Sequence, residues 1–266
     1  MKIINDVSEM REIQLNMMDC IHKFCIENDI KYSLAFGSML GAVRHNGFIP
    51  WDDDIDIMML RKDYDRFINS FNEYNSNYRV YDYRMDKEYN YAFAKICDER
   101  TLRIEYSKVQ GLGIFIDLFP IDYYAESRKE ALKTIKKAFF WKKILVAKNF
   151  KYTSSLSFFK NISIKFSQFM CSLIPIKTVL SQFDKLNKSQ SIKRTAYCGY
   201  LVDVNSTSIL KSEIFDSYCE YNFEGHKYYG IKDYDYYLRV QYGDYMTPPS
   251  EQNRISPHDI KGMYWK

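Results

Sequence analysis

Two aspartates, Asp54 and Asp56, lie two residues apart in DIDIMML (54–60), a segment that alternates polar and apolar residues. On a β-strand, residues at this spacing share a face, so both carboxylates would point the same way while Ile55 and Ile57 enter the core. Paired carboxylates repel each other unless a cation lies between them. Mg²⁺ or Mn²⁺ suits such a pair, because hard cations prefer carboxylate oxygens. Taken alone, the pattern also fits an edge strand with two solvated acids.

A second feature, Gly37-Ser38, lies between a predicted strand, KYSLAF (31–36), and a predicted short helix, SMLGAVRH (38–45). The backbone N–H groups at a helix N-terminus favour an anion such as phosphate, and glycine lets the backbone approach it closely. An ordinary turn and helix cap would also explain this dipeptide. The acidic segment, however, begins 16 residues downstream. A phosphate-binding turn followed by paired carboxylates is the minimum needed to hold a metal–nucleotide complex.

Asp117 and Lys95 are charged residues in predicted apolar strands, GIFIDLF (113–119) and YAFAKIC (91–97). A carboxylate among apolar neighbours is costly unless it is paired or metal-bound, so Asp117 is a candidate third acid of the site. The alternative for Asp117 is a surface acid at a strand end. Lys95 is an equally open case, with the site or the surface as its destination.

Three further residues near the acidic segment could contact a substrate. Arg44 and His45 follow the phosphate turn and could reach phosphate oxygens, or they could complement the dipole at the end of the helix. Trp51 precedes the acids and could pack on a choline group or a base. Packing in the core is the simpler explanation for Trp51.

The segment GSMLGAVRHNGFIPWDDDIDIMM (37–59) resembles the signature segment of the LicD family, which is also similar to the catalytic domains of fukutin-related proteins. The resemblance spans roughly residues 8–122 and 223–260. Further agreement comes from three shorter segments, AKICDERT (94–101), GIFIDLFPID (113–122) and YLRVQYGDYMTPPSEQ (237–252).

The resemblance implies a nucleotidyltransferase fold and the transfer of phosphocholine, or a related phospho-alcohol, from a CDP-linked donor such as CDP-choline. The acceptor would be a hydroxyl of a cell-surface glycan or teichoic acid precursor. By position, Asp54, Asp56 and Asp117 would bind Mg²⁺ or Mn²⁺, and Gly37-Ser38 would contact phosphate. Asp52 and Asp53 are interpreted as residues that fix the loop. The resemblance also makes His258 a candidate for substrate binding.

Two other functions remain open. A nucleotidyltransferase could use the same residues and release pyrophosphate in place of cytidine monophosphate. A non-catalytic glycan- or membrane-binding module could retain the fold, but the expected sign of that change is the loss of an acid, and none is lost. Nucleic-acid binding is not expected, because no recognisable reading motif accompanies the basic residues.

The surrounding sequence predicts the elements that position these residues. Asp6 and Glu9 form a possible capping box before an amphipathic helix over 8–28. The elements predicted after it are a helix over DYDRFINSF, a pair of strands (91–97 with 101–106), a strand 113–119 stopped by Pro120, a hairpin at Gly225 and a helix 233–242 ended by Gly243. We therefore expect an α/β (α+β) fold, with a nucleotidyltransferase-like mixed sheet core and a basic helical insertion.

Charge divides the chain into three parts: a catalytic core (1–125), a basic helical sub-domain (126–195) and a C-terminal part that completes the active site (196–266). From Arg128 to Arg194 there are 16 Lys or Arg residues and two acids, which leaves 22 basic and 32 acidic residues elsewhere. Two helices are expected here, with Leu132, Ile135, Phe139 and Lys143 along one side of the first and Phe158, Ile162, Phe166 and Phe169 in the second.

This basic segment predicts either a solvated helical surface or peripheral contact with an anionic membrane through residues 128–194. Lys136, Lys137, Lys142 and Lys143 would contribute to that contact. No stretch of 18 uninterrupted apolar residues is present, and the N-terminus lacks a secretory pattern. Six scattered cysteines without metal-binding spacing suggest reduced thiols, so a cytoplasmic location is expected.

Overall fold

The computed structural model describes residues 1–105, 111–149, 169, 171–188, 193–202, 208–254 and 260–266. Its α-helices are α1 (Val7–Glu27), α2 (Phe36–His45), α3 (Arg61–Ser70), α4 (Arg128–Asn149), α5 (Ile176–Lys188) and α6 (Tyr234–Tyr242). Its strands are β1 (Lys2–Ile3), β2 (Ser33–Leu34), β3 (Asp56–Leu60), β4 (Tyr78–Tyr81), β5 (Ala94–Asp98), β6 (Thr101–Glu105), β7 (Phe115–Ala125), β8 (Tyr197–Gly199), β9 (Leu210–Lys211), β10 (Tyr218–Phe223), β11 (His226–Ile231) and β12 (Ile260–Trp265).

The main sheet has seven strands and carries the acidic residues. Its order is β2-β3-β7-β5-β4, with β8 paired to β7 and β9 paired to β8. Strands β3 and β7 run parallel, and the other pairs are antiparallel, so the sheet is mixed. Strands β1, β12 and β6 form a second sheet, and β10 and β11 form a hairpin. The expected mixed α/β architecture is confirmed.

Helix α1 confirms the predicted capping box and packs its apolar face on the sheet. The Asp6 carboxylate accepts a hydrogen bond from the Glu9 N–H at 2.8 Å, and the Glu9 carboxylate accepts one from the Asn5 N–H at 3.3 Å. The buried residues of α1 recur at helical spacing, which produces one continuous core-facing stripe. They are Met10, Ile13, Gln14, Met17, Met18, Ile21, Phe24 and Cys25.

Strand β7 passes through Pro120 and does not stop there, so the predicted strand end is wrong. The N–H of Asp117 points toward β3, where it donates to the Ile55 carbonyl at 3.0 Å. Because N–H directions alternate along a strand, the missing N–H of Pro120 falls on the other side. That side is paired with β5 up to Leu118 and with β8 from Asp122 onward. The proline therefore occupies a gap between two partners and breaks no ladder hydrogen bond.

The predicted pairing of segment 91–97 with segment 101–106 is also wrong. Strand β5 lies between β4 and β7 in the main sheet, whereas β6 pairs with β12 in the second sheet. The turn between them is tight, and Thr101 Oγ1 donates to the Asp98 carbonyl at 2.8 Å while it accepts from the Ile114 N–H at 2.8 Å. Adjacent strands therefore diverge into different sheets, and the C-terminal strand β12 takes the place of the expected local partner.

The basic segment contributes two described helices, α4 and α5, which pack against each other and against β7. Ile144 and Leu145 of α4 join Val179, Leu180 and Phe183 of α5 in the main core. The buried face of α4 differs from the prediction, because Leu132 and Phe139 are exposed while Ala131, Ile135 and Ala138 are buried. The second predicted helix lies almost wholly outside the described residues. Among the described helices, none has the length and hydropathy to cross a bilayer.

Candidate active site

Three charged residues lie in register across adjacent strands of the main sheet. Asp56 at the start of β3 is the parallel partner of Asp117 on β7, and Asp117 is the antiparallel partner of Lys95 on β5. Neighbouring strands lie about 4.8 Å apart. The topology therefore brings two acids and one base, from three separate regions of the sequence, into one row.

Lys95 is the positive end of this row. Its Nζ lies 2.5 Å from Asp117 Oδ1, and both side chains are buried. The Lys95 ammonium also lies 3.5 Å from the centre of the Phe115 ring and 4.9 Å from that of Tyr91. Aromatic faces and a carboxylate together compensate for the removal of this ammonium group from water. Lys95 therefore points toward the acids and not toward the surface. This is one of the two orientations that the sequence analysis left open.

The acidic run Asp52-Asp53-Asp54 lies just before β3. One carboxylate oxygen from each residue falls within 4.8 Å of the other two. Asp53 is buried, with its Oδ2 3.9 Å from Nη2 of Arg103. The charges of Asp54, Asp117 and Asp52, in that order of influence, act on Asp56. Asp52 and Asp54 therefore lie close to the two acids of the row, Asp56 and Asp117, and the four form one acidic cluster.

This concentration of negative charge changes the acidity of its members. Burial raises the pKa of Asp52 to about 8, and the nearby charge of Asp54 adds to that effect. Burial also holds the pKa of Asp56 well above its usual value, reinforced by Asp54 and Asp117 and opposed by Lys95. A nearby cation stabilises the charged form of such carboxyl groups, because it offsets both the loss of hydration on burial and the repulsion between neighbouring carboxylates.

The loop that carries the acidic run is held from α1 by Arg11. Its Nη2 donates hydrogen bonds to the carbonyl oxygens of Ile49, Pro50 and Asp52, at 3.1, 3.2 and 2.5 Å. The Arg11 guanidinium also lies 4.7 Å from the centre of the Phe48 ring. One side chain of α1 thus fixes the backbone on the approach to the three consecutive acids.

Two further residues clamp the same loop, one from α1 and one from the β10–β11 hairpin. Gln14 of α1 donates to the carbonyl oxygens of Asp53 and Phe115, at 3.2 and 3.3 Å, and so connects the acidic run to β7. Glu224, at the turn of the β10–β11 hairpin, accepts from the Phe48 N–H at 3.0 Å. These long-range contacts explain how a loop of irregular backbone holds its carboxylates in place.

The Gly37-Ser38 turn begins helix α2 beside the acids. A Cβ atom on Gly37 would lie 2.4 Å from Asp52 Oδ2, so any larger residue here would displace that carboxylate. Ser38 Oγ accepts a hydrogen bond from the Asp56 N–H at 2.8 Å and thereby fixes the start of β3. The Ser38 hydroxyl therefore positions β3 as an acceptor and keeps its own proton to donate, so both it and the backbone remain candidate contacts for phosphate.

The residue before this turn, Phe36, has a left-handed backbone with φ of 43°. For a bulky residue this conformation costs on the order of 1–3 kcal/mol, and it persists only where surrounding contacts enforce it. Its N–H donates to the Tyr237 hydroxyl at 3.0 Å, and its ring packs edge-on against Phe119 and Tyr200. Strain of this kind, next to the phosphate turn, is typical of a functional site.

An open cavity of about 420 Å³ adjoins the turn and the acidic run. Gly37 and Asp52 form its inner wall, and Trp51, Tyr242 and Tyr245 provide aromatic surface. The remaining lining residues are Leu40, Arg44, Ile49, Asp244, Thr247 and Pro249. The pKa of Tyr242 is raised by burial and then by the charges of Asp56 and Asp52, which places its hydroxyl close to the acids.

Of the two basic residues at the end of α2, Arg44 lines this cavity and His45 lies behind it. Arg44 donates from Nη1 to the Tyr245 carbonyl at 2.7 Å and from Nε to His45 Nε2 at 2.9 Å. The His45 ring lies edge-on to Trp51 at 6.5 Å. Over Trp51, the Arg254 guanidinium lies 5.2 Å from the ring centre. Trp51 is thus at the cavity wall and already contacts a cation.

The structure places the described candidates from the sequence analysis in two groups. The cavity is lined by Gly37, Arg44 and Trp51, with His45 beside Arg44 and Trp51. The sheet carries Asp56, Lys95 and Asp117, with Ser38 and Asp54 beside Asp56. His258 lies outside the described residues. The supporting residues Arg11, Gln14, Phe36 and Glu224 were missed, as was the convergence of Asp52 with the other acids. Asp52 could have been predicted from the sequence, because it belongs to the same acidic run as the Asp-x-Asp pattern. The other residues act through tertiary contacts that the sequence alone does not indicate.

The sequence matches the family described as LicD/FKTN/FKRP, nucleotidyltransferase domain, over residues 29–172. This range includes the phosphate turn, every acid of the row and all of α4. The chain is also 32% identical to the lipopolysaccharide cholinephosphotransferase LicD of Haemophilus influenzae, over 96% of this chain and 97% of that protein. An uncharacterized protein of Rickettsia typhi is 33% identical over 135 residues, which are 49% of this chain and 41% of that protein.

Proposed function

The chain belongs to the LicD/FKTN/FKRP nucleotidyltransferase family, and from this premise we propose that it is a metal-dependent transferase of phosphocholine. The donor would be CDP-choline, and the acceptor a hydroxyl of a cell-surface glycan or teichoic acid precursor, including a lipid-linked one. The observation that carries the proposal is an aromatic-walled cavity that opens onto converging carboxylates. The Haemophilus relative is a lipopolysaccharide cholinephosphotransferase, which supports the choice of phosphocholine and of a glycan acceptor.

The carboxylates fit a hard divalent cation. Asp52, Asp54, Asp56 and Asp117 offer oxygen ligands alone, which suits Mg²⁺ or Mn²⁺. Burial raises the pKa values of Asp52 and Asp56, and neighbouring carboxylates raise them further, so a bound cation would stabilise the charged form of both. When bound, the metal ion supplies electrostatic stabilisation of the phosphate oxygens.

The remaining steps use side chains and backbone of this chain. The N-terminus of α2 at Gly37, together with Arg44, would bind the diphosphate of the donor. Asp117 would accept the proton of the acceptor hydroxyl, with Lys95 holding its carboxylate in place. The acceptor oxygen forms a bond to the phosphorus that bears choline, the bond from that phosphorus to the bridging oxygen breaks, and cytidine monophosphate leaves.

The aromatic part of the cavity suits the choline end of the donor. Trp51, Tyr242 and Tyr245 offer ring surface, and Asp244 adds a carboxylate. A quaternary ammonium over such rings gains about 0.5–2 kcal/mol. Arg254 lies over Trp51 at 5.2 Å, which supports this ring as a cation-binding surface.

A second candidate, nucleotidyl transfer, is supported by the match to a nucleotidyltransferase domain. The same carboxylates would serve, but the acceptor would attack the phosphorus that bears the nucleoside, and pyrophosphate would leave. The product therefore separates the two candidates. A binding module without activity is less favoured, because every acid of the site is present.

The decisive experiment incubates the chain with CDP-choline, CDP-ethanolamine, CDP-glycerol or CDP-ribitol, with Mg²⁺ or Mn²⁺ and with EDTA as the metal-free arm. We expect release of cytidine monophosphate from CDP-choline, dependent on the metal. Release of pyrophosphate from CTP and phosphocholine would support the second candidate. Preference for another CDP-alcohol would overturn the choice of choline and leave the reaction class intact.

Variants of the acids test the site itself. Asp56→Asn and Asp117→Asn should each reduce turnover by at least about 100-fold, as expected for removal of a group that acts in the transition state. Asp216→Asn is the matched control, because Asp216 is exposed and paired with Arg194, outside the cavity. Wild-type activity in Asp56→Asn would exclude this metal site.

A further inference from the structure

Helix α4 presents an apolar face to solvent. Leu132, Phe139, Phe140 and Val146 are between 43% and 58% exposed, and all lie on one side of the helix. On the opposite side, small residues such as Ala131 and Ala138 pack into the core. Helix α4 therefore has exposed large apolar side chains in addition to its core-facing residues Ile135, Ile144 and Leu145, which a solvated helix would not normally show.

Lysines lie between these exposed apolar residues. Lys136 and Lys143 occupy the same side of α4 as Leu132 and Phe139, at positions four and eleven residues after Leu132. Lys143 Nζ lies 4.7 Å from the centre of the Phe139 ring. A face that mixes exposed Phe and Leu with Lys is typical of helices that lie in the interfacial plane of a membrane.

A cleft between α4 and α5 extends this face. It has a volume of about 460 Å³, and its lining includes Lys136, Lys137, Lys185, Phe140 and Trp141. In the part of the chain that the structure describes, no ion pair involves any of these three lysines. Three ammonium groups around an aromatic cleft form a site for a phosphate group attached to an apolar body.

We propose that the exposed face of α4 and the α4–α5 cleft form a docking site for an anionic phospholipid bilayer. Lys136, Lys137 and Lys185 bind lipid phosphates in the cleft, while Phe139 and Phe140 enter the boundary between head groups and acyl chains. The site lies outside the candidate active site and uses none of its residues. Its existence therefore does not depend on the proposed transferase reaction.

Charge and apolar surface together favour a bilayer over a nucleic acid. The segment from Arg128 to Arg194 has 16 basic and two acidic residues, so its field attracts any polyanion. A nucleic acid backbone would use the lysines and leave Leu132 and Val146 in water. A bilayer uses both, because its phosphates lie directly above an apolar layer.

The test measures co-sedimentation of the full chain with vesicles of phosphatidylglycerol and phosphatidylcholine (1:1), compared with vesicles of phosphatidylcholine alone. We expect binding to the anionic vesicles that weakens as salt is raised from 0.1 to 1 M, because the Debye length shrinks from about 10 to about 3 Å. Each lysine near an anionic surface contributes about fivefold to binding. Lys136→Glu/Lys137→Glu/Lys185→Glu should therefore weaken binding by at least about 100-fold.

The matched control reverses three exposed lysines elsewhere, Lys2→Glu/Lys87→Glu/Lys232→Glu, and changes the total charge equally. Equal loss of binding in both triple variants would mean that net charge, not this site, is responsible. Absence of binding by the wild-type chain, or binding to an equal phosphate concentration of duplex DNA with no binding to vesicles, would also overturn the proposal.

A second readout follows insertion and does not depend on charge-reversed proteins. Trp141 lines the cleft, so brominated phospholipids in the anionic vesicles should quench its fluorescence. The quenched component should disappear in Trp141→Phe, which leaves Trp51 and Trp265 as the remaining tryptophans. Quenching that is unchanged in Trp141→Phe, or absent in the bound wild-type chain, would contradict docking through this face.

Discussion

Replacement of Arg11 by methionine tests whether the contacts between α1 and the acidic loop position the site. Nη2 of Arg11 contacts three loop carbonyls, but it carries two hydrogens and so makes at most two strong hydrogen bonds at once. A hydrogen bond from a charged donor contributes about 1.5–3 kcal/mol. Since Arg11 is half-exposed, the lower end applies, and Arg11→Met should lower the free energy of unfolding by about 2–3 kcal/mol.

Activity should fall further than this loss of stability alone explains. A displacement of about 1 Å in a positioned group can reduce turnover by about 100-fold. We therefore expect a 10- to 100-fold lower kcat/KM for CDP-choline in Arg11→Met, assayed well below its unfolding temperature. Calorimetric titration with Mn²⁺ should show weaker binding, and Arg11→Lys should restore part of it, because an ammonium retains the charge but not the guanidinium geometry.

Arg66 provides a matched control. It donates to two carbonyls at the end of α1, those of Asn28 and Asp29, at 2.6 and 2.9 Å. Arg66→Met should also destabilise the chain, yet leave Mn²⁺ affinity and kcat/KM within about twofold of wild type. If Arg11→Met is destabilised but binds Mn²⁺ and turns over normally, or if Arg66→Met loses activity equally, the positioning role of Arg11 is refuted.

Three further changes test other features of the structure. Asp56→Asn should abolish activity while raising the metal-free stability by about 1–2 kcal/mol in urea unfolding, because it removes a charge crowded by other acids. Gly37→Ala should retain its circular dichroism but lose about 10- to 100-fold in kcat/KM, since its Cβ would lie 2.4 Å from Asp52 Oδ2. Burial lowers the pKa of His22, whose Nδ1 lies 2.7 Å from Tyr32 Oη, below its ordinary 6.5. The folded chain then binds fewer protons than the unfolded chain as pH falls below 6.5, so the unfolding temperature should drop there, and less so in His22→Gln.

The parts of the site that were predictable are those encoded by local spacing. Asp54, Asp56 and the Gly37-Ser38 turn could be identified because each motif lies within a few residues of one strand or one helix end. Asp117 was identified by its unfavourable apolar surroundings. Their meeting point could not be derived locally, since it depends on the parallel register that sets Asp56 beside Asp117.

The supporting contacts were not predictable for a different reason. Arg11 lies 41 residues before Asp52, and Glu224 lies 176 residues after Phe48. Nothing in the sequence around Arg11 distinguishes it from other charged residues on the outer face of an amphipathic helix. Such contacts become visible once α1 is placed across the loop, because a guanidinium binds any backbone carbonyls that lie within its reach.

The errors at Pro120 and in the pairing of β5 with β6 have a common cause. The first assumed that a proline ends any strand, the second that strands adjacent in sequence pair, and both left out partners from distant parts of the chain. In the structure, β7 has three partners along its length, and the proline falls where one partner ends and the next has not begun. A long strand that changes partners along its length can therefore contain a proline in its middle. A prediction that considers only one pair of strands would end the strand at that proline.

The distribution of charge connects the active site with the basic helices. A diphosphate donor and converging aspartates repel each other, so the site requires cations to bind the donor. The basic segment, in contrast, attracts anions through its own positive charge. If the docking site on α4 and α5 operates together with the candidate active site, Lys136, Lys137 and Lys185 face a negatively charged membrane, and the net-acidic remainder of the chain is repelled from it. The chain would then be oriented by its own field, with α4 and α5 at the surface. A hydroxyl acceptor presented by a lipid-linked glycan would then lie at the same surface as the docked chain, and none of the described helices is long and apolar enough to cross that membrane.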